Sequence, residues 1–170
     1  MDSLTPTTDK KADALARRYG AEAIPAAVDH AIALARIMVE AGVPTVLHAF
    51  TDGRDMPPRS AEPSLRALQA LCADGDVRVA TVIGRYFAMD RDKRWDRMER
   101  AWKAIVEAEA DDTASDPLTA LEAAYGRGEN DEFVLPTVIN GGRAMRDGDA
   151  VVFMNFRADR ARQLTSAFVA

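Results

Sequence analysis

The segment Val77–Ile83 is a nearly continuous apolar run, introduced by the turn residues Asp74-Gly75-Asp76 and ended at Gly84. A strand exposed on one face alternates apolar and polar residues, whereas one lacking that alternation is covered on both faces. Helices must therefore lie above and below it. The sequence supplies them. An amphipathic pattern over Pro25–Ala41 places Val28, Ile32, Leu34, Ala35, Met38 and Val39 near one face. A second over Ala61–Ala73 takes Ser60 as N-cap and tolerates Pro63 in its first turn. A third, Lys93–Ala108, carries Trp95, Met98, Trp102, Ile105 and Val106 as a core-facing stripe. Helices at Pro117–Tyr125 and Ala158–Phe168 and strands at Thr45–Phe50, Glu132–Ile139 and Asp149–Asn155 complete the alternation, with Asp111–Asp116 as a polar linker. The pattern predicts an α/β fold: a mainly parallel sheet flanked by helices, a three-layer single domain. Residues 2–20 read as a further short helix stopped at Gly20.

Composition narrows the function. A chain of 170 residues is long enough for one proper core. No run approaches the ~20 apolar residues of a membrane span, and the polar stretch after Met1 does not resemble a secretory signal. Cys72 is the sole cysteine, which excludes an intrachain disulfide and fits a reducing, cytoplasmic setting. A net charge of -5 argues against a nucleic-acid binder that depends on a broad basic surface.

Within this acidic chain, arginines recur just past the apolar runs: Arg54 in Asp52–Asp55, Arg85 and Arg91 in Gly84–Arg91, and Arg157 and Arg160 in Asn155–Arg160. In an open α/β sheet, ligands bind in the crevice beyond the carboxyl ends of the strands. Guanidinium groups converging there suit a small phosphorylated anion, because each planar fork holds phosphate or carboxylate oxygens bidentately. Taken singly each loop has a plainer reading. Arg54 and Asp55 can pair with each other on the surface, and Arg85–Arg91 can be a solvated helix start. Arg157 and Arg160 stand one helical turn apart, beside backbone N–H groups that an anion would meet. His30 and His48 read as structural, and no His/Cys cluster has metal-ligand spacing. No nucleophile-elbow serine or Gly-rich phosphate loop is present.

Four stretches go further. Leu47–Ala61, Gly84–Trp95, Asp131–Val134 with Pro136–Ile139, and Asp147–Asp149 through Asn155–Arg162 closely resemble, in order, signatures of the cofactor-independent phosphoglycerate mutases. The likeness runs from about Val28 to Phe168. It implies a glycolytic isomerase that interconverts 3-phosphoglycerate and 2-phosphoglycerate through a phosphoserine intermediate, with manganese as cofactor. Such an enzyme has an alkaline-phosphatase-like domain carrying metals and nucleophile, and an inserted α/β domain that grips the substrate.

Residues 24–170 are similar to that inserted domain, incomplete at its ends, while residues 1–23 are unlike the family. By motif match, Arg54, Arg85, Arg91, Arg157 and Arg160 hold the substrate's phosphate and carboxylate, and Asp55 contacts its hydroxyl groups and assists proton transfer. The manganese ligands and the serine belong to the other domain, so the chain alone is expected to hold no metal and to be inactive. Its implied partners are 2- and 3-phosphoglycerate and a phosphatase-like metal-binding domain; exposed surfaces where elements are missing would favour self-association. In register with the family's Ser-Asp-Gly-Gly-Val-His-Ser-His stretch stand Gly20–Ala27, with Pro25 at the position of a substrate-contacting histidine. A catalytically silent phosphate-binding module and an interaction domain remain as alternatives.

Overall fold

The computed structural model describes residues 25–155 and 157–169. The helix expected at residues 2–20 lies outside them. The elements run α1 (Pro25–Glu40), β1 (Thr45–Thr51), α2 (Glu62–Leu71), β2 (Val77–Gly84), the single turn α3 (Arg85–Ala88), α4 (Trp95–Val106), β3 (Asp112–Ala114), α5 (Pro117–Gly126), β4 (Thr137–Ile139) and α6 (Ala158–Phe168). The strands form one sheet in the order β1-β2-β4-β3. β1 runs parallel to β2 and β3 parallel to β4, while β2 and β4 meet antiparallel. The expected α/β architecture, mainly parallel and flanked by helices, is the one observed.

β2 explains its own sequence. Every residue in it except Arg78 is buried. Val79 and Val82 pack with Leu65, Ala120, Leu121 and Ala124, so α2 and α5 cover one face. Ile83 packs with Met98, Ala101, Ala104, Ile105 and Leu164, so α4 and α6 cover the other. A register shift helps: Leu47 faces Val79 and His48 faces Thr81, so Ala80 is passed over. That extra residue is a β-bulge, and it brings Val79 and Val82 to one face although they are three apart.

A short 3-10 turn, Asp131–Phe133, lies across the carboxyl ends of β1 and β2. A Cβ on Gly84 would come within 2.5 Å of Glu132 O and 2.6 Å of Val134 N. One on Gly53 would meet Glu132 N at 2.5 Å, and Gly53 also has a φ of +62°. Asp131 is 1% exposed. Its Oδ2 accepts from Ser60 N at 2.7 Å and Ala61 N at 3.0 Å, and its Oδ1 accepts from the Tyr125 hydroxyl. Its backbone N donates to Pro58 O at 2.8 Å, and its O accepts from Thr51 Oγ1 at 2.7 Å.

This corrects the expected cap of α2. Ser60 does not cap; its Oγ donates to Pro57 O, and the carboxylate of Asp131 takes the N–H groups of Ser60 and of the N-cap residue Ala61 instead. A charged acceptor at those donors is favoured by the helix dipole as well as by hydrogen bonding.

Four other expectations change. Of Glu132–Ile139 only Thr137–Ile139 is strand, because the first residues are drawn into the 3-10 turn. Asp112–Ala114, read as linker, pairs with β4 as an edge strand too short and polar to show a period. Asp149–Asn155 forms no strand: Phe153 stacks on Phe168 while Val151, Val152 and Met154 are exposed. An apolar run becomes a strand only beside another backbone, and an open apolar cleft of about 610 Å³ separates the two, lined by Ala35, Val46, Phe50, Val151 and Phe153 among others. Trp95 is 51% exposed rather than core, since it opens α4 a turn before the packed residues Met98 and Ala101 begin.

Gly84→Ala should destabilise the protein by about 2 kcal/mol through overpacking against Glu132 and Val134. Urea unfolding should show a lower midpoint at an unchanged slope. A midpoint equal to wild type would contradict the close approach of that turn.

Candidate functional site

The residues that leave β1 form a tight turn. Asp52 Oδ1 accepts from the backbone N–H groups of Arg54 and Asp55, each at 3.0 Å. The turn sends Arg54 outward, 3.7 Å from Glu132 Oε1, and leaves Asp55 facing β2. Arg85 is the first residue past β2, and its side chain is 4% exposed. Its Nη1 donates to Asp52 and, at 2.8 Å, to Asp55 Oδ2. Burial works against its charge, but the hydrogen bonds to Asp55 and Asp52 outweigh that and raise its proton affinity. Asp55 thus pairs with Arg85, and Arg54 lies within reach of Glu132.

The next loop is fastened by a buried carboxylate. Asp90 Oδ2 accepts from Asp92 N at 3.0 Å, Arg94 N at 2.9 Å and Gln163 Nε2 at 3.2 Å. This ties the loop bearing Arg91 to α6. Arg91 Nη1 donates to Asp159 Oδ2 at 2.7 Å. Arg157, the residue before α6, lies 3.4 Å from the same carboxylate through Nε. Arg160, in the first turn of α6, donates from Nη1 to Met89 O at 3.0 Å.

Arg160 is the unusual member. Its Nε is buried with no hydrogen-bond acceptor among the described residues. Burial lowers its proton affinity, and the positive charges of Arg85, Arg91 and Arg157 lower it further. Four guanidinium groups from two segments, Gly84–Arg91 and the start of α6, therefore share one field, with Asp55 beside Arg85. Arg54 is the exception, held at the rim by Glu132. Arrangement of this kind costs electrostatic energy in the absence of an anion and returns it when one binds.

Sequence reasoning missed the carboxylates that set these positions: Asp52, Asp90, Asp131 and Asp159, together with Gln163. Asp52 before a glycine at a strand end carries a turn signal. Asp131 carries none, because its acceptors' partners stand 70 and 71 residues away.

The family profile described as BPG-independent PGAM N-terminus matches residues 21–170. The chain belongs to this family. A 2,3-bisphosphoglycerate-independent phosphoglycerate mutase of Laribacter hongkongensis is 59% identical over 141 residues, covering 82% of this chain and 28% of the relative. One from Acinetobacter baylyi is 54% identical over 143 residues, with 83% and 28% covered. The phosphoglycerate mutase of Leishmania mexicana, solved at low cobalt concentration, superposes with a TM-score of 0.75 at 28% identity, covering 82% of this chain and 28% of that one. The chain thus spans about 28% of the length of the curated relatives it matches.

Manganese does not fit the site described. Among the described residues no group of three His, Cys, Asp or Glu is placed to hold a metal ion. Asp52, Asp55 and Asp159 face guanidinium groups, whose charge opposes a cation there. No helix among the described residues is long and apolar enough to cross a membrane.

The two histidines differ in their surroundings. His30 is exposed on α1, and His48 Nδ1 lies 3.0 Å from Thr81 Oγ1. Burial lowers the His48 pKa from 6.5 to about 4. The unfolded chain therefore binds one more proton than the folded one between those values, so stability falls as pH drops through that window. The loss attributable to His48 is about 3 kcal/mol. His48→Gln should show a correspondingly shallower decline in urea midpoint between pH 6.5 and pH 4. Parallel declines in the two proteins would contradict a half-buried neutral imidazole.

Proposed function

We propose that this chain is the substrate-gripping part of a cofactor-independent phosphoglycerate mutase, and that the interconversion of 3- and 2-phosphoglycerate belongs to the longer polypeptide of which its relatives are examples. The observation that carries this reading is the buried, unpartnered Nε of Arg160 within the field of Arg85, Arg91 and Arg157. A phosphoglycerate bears a phosphate and a carboxylate on a three-carbon frame. Forked donors arriving from separate loops can hold both groups at once and fix the hydroxyl between them.

In this reading Arg91, Arg157 and Arg160 take the anionic groups, and Arg85 positions Asp55, which contacts the substrate hydroxyl. Arg54 joins from the rim by leaving Glu132. The contribution is orientation and charge stabilisation, which dominate phosphoryl transfer. Manganese, the phosphoserine and the nucleophile are assigned to a phosphatase-like domain outside the residues described. The setting proposed is the cytoplasm, where glycolytic substrates are found. Residues 24–170 would form this domain, with residues 1–23 separate from it.

Titration calorimetry with 3-phosphoglycerate is expected to show binding to wild type, weakened about tenfold or more by Arg91→Ala and by Arg160→Gln, as loss of a charge-assisted hydrogen bond implies. Equal heats from all three proteins, or none from any, would overturn the reading. Incubated with 3-phosphoglycerate and manganese, the purified chain should yield no 2-phosphoglycerate. Conversion by this chain alone would show that the gripping role is too narrow.

A further inference from the structure

Two kinds of counter-charge face the arginine cluster. Arg85 is 4% exposed and is held by Asp52 and Asp55, which are 32% and 44% exposed, so in these pairs the guanidinium itself is buried. Asp159 is different. It reaches Arg91 at 2.7 Å and Arg157 at 3.4 Å, with side-chain exposures of 35% for Asp159, 45% for Arg91 and 58% for Arg157. These two arginines come from different elements, one in the loop after α3 and the other at the start of α6. The carboxylate between them bridges loops that no covalent neighbour connects.

Exposed ion pairs of this kind are weak and exchangeable. Asp159 is also the negative charge that offsets the repulsion of Arg91, Arg157 and Arg85 at Arg160. Its carboxyl is held below the usual carboxylate range, chiefly by the hydrogen bond from Arg91, so it is an anion at neutral pH.

We infer that Asp159 is a resident counter-anion: it occupies Arg91 and Arg157 in the free protein, and a ligand's phosphate or carboxylate must displace it from Arg91 to bind. This rests on the reading of the site as an anion grip. Asp159 then sets specificity rather than affinity. A ligand with one weakly charged group cannot outcompete the attached carboxylate. A ligand that also engages Arg160 and Arg157 can. Asp159 thereby suppresses occupation by small inorganic anions and leaves the site open to a molecule with two anionic groups.

The test is a double-mutant cycle read by calorimetry with inorganic phosphate and with 3-phosphoglycerate. Asp159→Asn keeps the size of the side chain and removes its charge. It should tighten inorganic phosphate binding about fivefold, the upper range for an exposed pair, and 3-phosphoglycerate binding by less. In an Arg91→Ala background the gain should shrink, because the closer of the competitor's two partners is gone. A gain undiminished by Arg91→Ala would show a general charge effect, and weaker binding by Asp159→Asn would show that the carboxylate positions the arginines instead. Either result overturns the inference while leaving the anion grip intact. Absence of arginine-dependent binding in wild type and in Asp159→Asn alike would overturn both.

Discussion

The carboxylate of Asp131 is the contact on which the arrangement of the site depends. It is buried, and it collects the N–H groups of Ser60 and Ala61 just ahead of α2 and the hydroxyl of Tyr125 on α5. Through its backbone it also holds Thr51 at the end of β1 and Pro58 in the loop beyond. The turn it belongs to lies on Gly53 and Gly84 so closely that a methyl group at either would collide with backbone. Those glycines immediately precede Arg54 and Arg85. One buried anion therefore fixes where two strands stop and where their arginines begin. A buried charge is stable only when its lone pairs are met by donors, and here the donors come both from the segment that opens α2 and from α5.

Electrostatics divides the site in the same way. Arg85 has a permanent place, with two aspartates that the β1 turn supplies. Arg91, Arg157 and Arg160 lie on the side toward solvent, fastened by Asp90 and Gln163 through the backbone and by Asp159 through charge. The cluster is over-supplied with donors, and Arg160 Nε is the donor left without an acceptor. Such an excess is stable only because the fold around it is rigid, with α4 and α6 packed on the sheet by Met98, Ala101, Ile105 and Leu164.

Much of this was legible in the sequence, for a physical reason. Burial on two faces writes itself as an unbroken apolar run, so β2 and its flanking helices were readable; so were arginines placed just past strand ends. α6 matched residue for residue, Ala158–Phe168, because its apolar spacing and flanking residues agree. Apart from Trp95, which simply opens α4, the failures were non-local. β3 is polar and gains its structure only from β4. The stretch Asp149–Asn155 has strand composition but no neighbouring backbone to pair with. Ser60 was a reasonable cap by local rules and lost to a carboxylate 71 residues away. The same limit hid the aspartates of the site, since the class of ligand an arginine suits can be read from its loop but its resting partner cannot. Family membership came from motifs in register and agrees with a profile match over residues 21–170.

The most direct measurement is a crystal structure of the chain with 3-phosphoglycerate bound. An anionic oxygen of the ligand should stand within about 3 Å of Arg160 and of Arg91 or Arg157, giving Arg160 Nε the acceptor it lacks. Ligand seated elsewhere, in the apolar cleft beside β1 for example, with Arg160 unchanged, would contradict the assignment of the arginine cluster as the grip.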